Sequence, residues 1–142
     1  MAIASARLPA HGSDVRSHRR LLVWLRASDA AETVYRMTKA FPRTETFGIV
    51  AQMRRAAISV VSNIAEGAAR RSDREFSRFL DIAMGSAGEL QAQVDVSGRL
   101  GFGDPVLRQR AADQIDEVKR MLAGLQRQVT RRIGDRHLTS DT

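Results

Sequence analysis

The chain has no cysteine, only three histidines among its 142 residues, and no long apolar run. Without cysteine there is no disulfide, no thiolate zinc site and no cysteine nucleophile, a composition that suits a reducing cytoplasm. The histidines, His11, His18 and His137, are scattered near the two ends and form no ligand spacing. No stretch approaches the roughly 20 apolar residues needed to span a bilayer. Leu8-Pro9-Ala10-His11-Gly12 stands where a secretory signal would need a longer apolar core. A soluble, non-secreted, cytoplasmic protein without a membrane partner is expected. There is also no P-loop, no His-Glu-x-x-His and no Gly-x-Ser-x-Gly, and Ser, His and Asp are not grouped, so an enzyme is not expected. Metals and cofactors are likewise not expected.

Basic charge is abundant. The formal net charge is +7, and every cation except Lys39 and Lys119 is an arginine or, when protonated, a histidine. Residues 1–20 carry Arg7, Arg16, Arg19 and Arg20 against Asp14, and residues 127–142 carry four arginines against Asp135 and Asp141, which leaves residues 21–126 at +2. The pattern reads equally as basic arms that track phosphate or an acidic partner and as solvated, arginine-rich tails. Arginine presents a planar fork that fits phosphate or carboxylate.

The apolar period is that of helices throughout. Trp24, Ala27, Ala31, Val34, Thr38 and Phe41 recur at three- and four-residue steps, predicting a first amphipathic helix over about 21–40 that ends at Phe41-Pro42. Thr44 is the expected N-cap of a second helix over about 45–67, with Val50, Ala57, Val61, Ile64 and Ala68 as its buried stripe. Gly67 stands where a left-handed C-terminal residue is expected. Ser72-Asp73-Arg74-Glu75 fits a capping box and starts a third helix over about 73–99. Its core stripe is Phe76, Leu80, Ala83, Ala87, Leu90, Val94 and Ser97, flanked by Phe79, Ile82 and Ser86. Gly101-Phe102-Gly103 breaks that helix, and Asp104-Pro105 opens a fourth over about 105–130 with Leu107, Ala111, Ile115, Val118, Leu122, Leu125 and Val129 inside. No segment alternates like a strand. The fold expected is an all-α, antiparallel up-down four-helix bundle between a basic N-terminal arm (1–20) and a polar C-terminal tail (131–142).

Two features stand out within the helices. Gly85, Gly88 and Gly98 lie inside the third helix, where each costs roughly 1 kcal/mol relative to Ala, so a close approach of another helix, from this chain or another subunit, is expected there. On the second helix Arg55, Ser59, Asn63 and Glu66 fall along one face. Such a strip fixes register between helices or subunits, or holds a phosphate through Arg55. A pair of Glu-x-x-His motifs for a di-metal site is absent, since Ala69 and Ala92 follow Glu66 and Glu89 at the third position.

Taken together, Phe41-Pro42, Glu45 to Gln52, Arg54-Arg55-Ala56-Ala57-Ile58-Ser59, Asn63-Ile64-Ala65-Glu66-Gly67, Ser72, Glu75-Phe76, Phe79-Leu80, Ile82-Ala83 and Gly85-Ser86 with Glu89-Leu90 resemble the four-helix-bundle family of 23S rRNA intervening-sequence proteins over about residues 21–126. The family pattern falls on Arg54, Arg55, Ser59, Asn63, Glu66, Gly67, Phe76, Phe79, Ser86 and Glu89 and marks none as catalytic. The chain departs from it at Ala87-Gly88, where a bulkier residue is common, and in its long basic arm. The resemblance implies a small bacterial bundle assembling as a ring-like pentamer. A similar bundle is the accessory protein of diversity-generating retroelements, which implies nucleic acid and a reverse transcriptase as partners.

Two functions follow as expectations. In the first, an oligomer repeats the basic arms and Arg70, Arg71, Arg74 and Arg78, with Arg54 and Arg55 beside them, so that weak phosphate contacts on RNA or DNA act together. In the second, the same bundle is a protein-interaction scaffold with no nucleic-acid role. Apolar and small residues on more than one face of the third helix argue for self-association under either reading.

Overall fold

The computed structural model describes residues 15–140 and contains four α-helices, with no strand among the described residues: α1 (Val15–Thr38), α2 (Ile49–Ala68), α3 (Asp73–Arg99) and α4 (Pro105–Ser140). Residues 1–14 of the expected basic arm, and residues 141–142, lie outside the described residues. α1 packs on α2, α2 on α3, α3 on α4 and α4 back on α1, while the diagonal pairs do not meet, so the helices stand at the corners of a square.

Two apolar clusters show how the helices alternate in direction. One joins Ala30, Val34 and Met37 from the end of α1, Val50, Met53 and Ala57 from the start of α2, Leu90 and Val94 from the end of α3, and Ala111 and Ile115 from the start of α4. The other joins Val23 and Ala27, Val60 and Ile64, Phe76 to Ala87, and Val118 to Val129. Ends and beginnings therefore share each half, which is the up-down arrangement. Between the halves the bundle is lined largely by alanine, with Ala27, Ala30, Ala31, Ala57 and Ala87 around a cavity of only about 10 Å³. That space is apolar and barely the size of one water, so the small side chains are filled by helix proximity.

The buried stripes expected for α3 and α4 are largely those observed, whereas in α2 Ala68 is exposed and Val61 partly buried, and Met53, Ala56, Val60 and Gly67 are buried beside Val50, Ala57 and Ile64. In α3 the buried residues are Phe76, Leu80, Ala83, Ala87, Leu90, Val94 and Ser97, the expected set. In α4, Ala111, Ile115, Val118, Leu122, Leu125 and Val129 are buried. The buried hydroxyls satisfy themselves locally: Thr38 Oγ1 donates to the Val34 carbonyl at 2.8 Å and Ser97 Oγ to the Val94 carbonyl at 2.7 Å.

Several boundaries differ from expectation for identifiable reasons. α1 begins at Val15, so residues 15–20 are helix, and the Arg20 guanidinium lies 4.0 Å over the Phe76 ring, which ties that first turn to α3. α4 continues to Ser140 instead of stopping near 130; Ile133 extends the apolar spacing and packs on the core. Thr44 does not cap α2. Residues 43–45 form a single 3-10 turn, closed by Glu45 N to the Pro42 carbonyl at 2.9 Å and by the Thr46 hydroxyl on the Arg43 carbonyl at 2.8 Å, and α2 starts only at Ile49. At the same end of the bundle the Phe41 and Phe102 rings pack 5.6 Å apart. Gly103, with φ of +75°, sits where a Cβ would lie 2.8 Å from Phe41.

Gly67 is also reassigned. Positive φ among the described residues is confined to Gly101 and Gly103, so Gly67 is ordinary helix within α2 and not a left-handed cap. Its role is steric. A Cβ there would lie 2.8 Å from Phe79 Cβ and 2.9 Å from the Phe76 ring, so its absence sets how closely α2 approaches α3. Gly85 and Gly88 behave in the opposite way: a Cβ at either would meet nothing within 4 Å, so no helix of this chain packs on them. Gly98 is covered by the flexible end of Arg108.

These environments give opposite expectations for one substitution. Gly67→Ala should destabilise the fold by about 1–3 kcal/mol through overpacking, whereas Gly85→Ala, in open helix surface, should stabilise it by roughly 0.5–1 kcal/mol. Urea unfolding followed by circular dichroism measures both.

Candidate nucleic-acid interface

The short α2–α3 turn sets out the first part of the site. α2 closes with the Ala69 amide on the Ala65 and Glu66 carbonyls, both at 3.2 Å. Ser72 then caps α3 by accepting from Glu75 N at 3.2 Å. The capping box is formed in an altered way: the Glu75 carboxylate accepts from the Ser72 hydroxyl at 3.3 Å, side chain to side chain. Because that turn is tight, Arg70, Arg71, Arg74 and Arg78 emerge together at one end of the bundle.

Phe79 organises two of them. Seated on Gly67, its ring lies under the guanidinium of Arg70 at 5.0 Å and of Arg78 at 5.6 Å, and Arg70 also pairs with Glu66 at 3.2 Å. Contacts of this kind between exposed groups contribute at most about 1 kcal/mol each. They orient the cations more than they stabilise the fold.

The far end of α4 reaches the same place. Asp73, whose side chain is 13% exposed, accepts from Arg132 Nη2 at 3.3 Å through Oδ1 and faces Arg136 Nη2 at 3.4 Å through Oδ2. The carboxylate also sits in the first turn of α3, where the helix dipole favours negative charge. Arg74 Nη2 lies 3.5 Å from His137 Nε2. Ser72, Asp73, Arg74, Ile133, Arg136 and His137 surround a cavity of about 280 Å³. A carboxylate shared by two arginines leaves local charge positive. Within residues 17–20, 66–78 and 131–139 there are nine arginines against four carboxylates, Glu66, Asp73, Glu75 and Asp135. The opposite end, residues 36–48 and 95–110, carries six Lys and Arg against three carboxylates.

The other candidate residues lie elsewhere. Arg54 is in the opposite half, where it clamps α2 to α1: Nε donates to Thr38 Oγ1 at 3.0 Å, Nη2 to the Tyr35 carbonyl at 3.4 Å, and the guanidinium lies 4.6 Å over the Tyr35 ring. Arg55 is exposed on the α2 surface, apart from the arginine group. Ser59, Asn63 and Ser86 form a polar tie between α2 and α3. The Ser59 and Ser86 hydroxyls are 2.8 Å apart, and Asn63 Nδ2 donates to the Ser59 carbonyl at 2.8 Å and to Ser59 Oγ at 3.1 Å. Phe76 is buried beneath Arg20, and Glu89 accepts from Gln93 Nε2 at 3.2 Å. Among the described residues no group of three or more His, Asp or Glu is placed to hold a metal ion.

Sequence reasoning assigned Arg20, Arg132, Arg136 and His137 to tails and missed their place in this group. The signal was available for α4, because Arg132 and Arg136 are four apart on the helix that Val129 and Ile133 continue.

Residues 19–124 match the family model of the 23S rRNA-intervening sequence protein. A solved structure of a protein of unknown function from the S23 ribosomal protein family of Bacteroides thetaiotaomicron is similar in fold, with a TM-score of 0.70 at 18% identity, covering 77% of this chain and 98% of that one. No curated protein matches the chain.

Asp73→Asn should weaken the hold of α3 on the end of α4. Amide hydrogen exchange across residues 131–139 is expected to speed up about tenfold, corresponding to roughly 1–1.5 kcal/mol for a part-exposed ion pair, with exchange in residues 111–125 unchanged.

Proposed function

The chain belongs to the 23S rRNA-intervening sequence protein family, and we propose that it acts as a non-catalytic bundle that binds the phosphate backbone of RNA or DNA. The observation that supports this reading is the convergence at one pole of Arg20 from α1, Arg70 and Arg71 from the α2–α3 turn, Arg74 and Arg78 from the start of α3, and Arg132 and Arg136 from α4. Of the carboxylates near them, Glu66 and Asp73 are engaged by arginine and Glu75 by the Ser72 cap. A phosphate run meeting this pole finds arginines in excess of carboxylates and releases counterions on binding. Base preference is expected to be weak, because Trp24 and Tyr35 belong to α1 and Phe79 lies under two guanidinium groups.

Self-association is part of the proposal. Ile58 and Ile82, 46% and 41% exposed, flank the Ser59–Ser86 tie on the α2–α3 face, with Gly85 open beside them. A homo-oligomer built on that face, the expected pentamer included, would repeat the basic pole and turn several weak contacts into one avid surface. Replacing Ile58 and Ile82 by Glu is expected to give a folded monomer by multi-angle light scattering.

Binding itself is tested by fluorescence anisotropy with a structured RNA hairpin over a salt series. Affinity should fall steeply with salt. Changing Arg71, Arg74 and Arg78 together to Ala should lower the slope of log affinity against log salt by about 2–3, near one per lost phosphate contact. Changing Lys39, Arg43 and Arg110 at the other pole should leave it nearly constant. Equal losses from both triples, or no binding even at low salt, would overturn the reading.

A further inference from the structure

We infer that the groove between α3 and α4 is a docking site for an amphipathic helix of another protein, apolar on its inserted edge and acidic on its flank. The groove has a volume of about 740 Å³ and is lined by Leu80 and Met84 from α3 and by Leu122, Ala123, Arg127 and Arg131 from α4, with Asp81, Gln126 and Thr130 completing its walls. Leu80 and Leu122 are 1% and 0% exposed, so the floor of the groove is the bundle core itself.

Small residues keep it open. Ala123 faces it from α4, and Gly88, one turn beyond Met84 on α3, has nothing within 4 Å of a Cβ position. Past that point the two helices are laced shut, since Gln91 Nε2 donates to Asp116 Oδ1 and Lys119 Nζ to Gln91 Oε1, both at 2.7 Å. The cleft is therefore bounded by the Gln91 bonds at one end and by the Gln126–Ser77 and Arg132–Asp73 ties at the other, opening outward between them, and its axis follows two antiparallel helices, a shape that accepts a third helix by ridge-and-groove packing. Its volume suits a few inserted aliphatic side chains, and Met84 adapts to their shape.

Charge selects the partner. The acid in the wall, Asp81, already accepts from Gln126 Nε2 at 2.6 Å, and the same amide donates to the Ser77 carbonyl at 3.0 Å. Arg127 and Arg131, one turn apart and exposed, have no ion-pair partner among the described residues. A carboxylate on the flank of an incoming helix would meet them at the rim, while its apolar edge packs on Met84 and Ala123 above the buried Leu80 and Leu122. A nucleic acid fits this groove poorly: no aromatic ring lines it for stacking, and burying a phosphate on an aliphatic floor is costly.

The test uses the full chain and a labelled helical peptide of about 16 residues with Leu at positions i, i+4, i+7 and i+11 and Glu along one flank, together with a twin carrying Lys in place of Glu. The Glu peptide should bind. Its affinity should drop about tenfold or more when Arg127 and Arg131 are both changed to Glu, and the Lys twin should bind only that charge-reversed protein. Both substituted residues are exposed, and circular dichroism checks that the variant keeps its fold. Equal binding of the two peptides, or of the Glu peptide to both proteins, would overturn the assignment. It would be overturned equally if neither peptide bound while the double change dissociated an oligomer, making a second copy the occupant, or if neither bound while it abolished RNA binding, making the groove part of the basic pole. Loss of RNA binding by the Arg71, Arg74 and Arg78 triple with peptide binding intact separates this site from the proposed backbone interface.

Discussion

The missing side chain at Gly67 is the constraint on which the candidate interface depends. With no Cβ to strike Phe79 or Phe76, the last turn of α2 lies against the first turns of α3. That contact shortens the connection to four residues, puts Ser72 at the helix cap and seats Phe79 where Arg70 and Arg78 lie over its ring. Phe76, held in the core by the same contact, offers its other side to Arg20. Three of the arginines at the pole thus take their positions from how two phenylalanines pack on one glycine.

The two ends of the bundle differ in kind. At one, Phe41 and Phe102 close the core beneath the α1–α2 and α3–α4 connections. At the other, α1 and α4 run on past the core, and α4 is stapled to α3 by Asp73. A helix of 36 residues is about 54 Å long against about 30 Å for the 20 residues of α2, so the added length of α4 belongs to the charged end. An arginine-paired carboxylate suits this place, since Asp73 supports α4 at its Arg132 and Arg136 side while leaving the pole cationic.

Much of the fold was legible in the sequence because its signals were local and periodic. The α3 stripe from Phe76 to Ser97 needs only three- and four-residue spacing to be read, and the Ser72 and Asp104 caps need only their neighbours; Val106 N does donate to Asp104 Oδ1 at 2.8 Å. Features fixed by contact between distant segments were not legible. Gly67 reads as a helix terminator until Phe79 is seen beside it. Thr44 reads as a cap, but residues 42–46 bond among themselves instead. The group of Arg70, Arg71, Arg74 and Arg78 was visible as a run, whereas the arrival of Arg20, Arg132 and Arg136 depended on helix continuity through both presumed tails. The bonds of Arg54, an expected phosphate ligand, to Thr38 and Tyr35 across α1 were equally invisible in the sequence.

The most direct measurement of the central claim is a map of backbone amide shifts in a nitrogen-15 NMR spectrum as an RNA hairpin is added to the full chain. Binding at the arginine pole predicts that the perturbed amides cluster in residues 17–20, 66–78 and 131–139, with residues 36–48 and 100–110 unmoved. Perturbations centred on Arg54 to Asn63, or spread evenly over both poles, would contradict it.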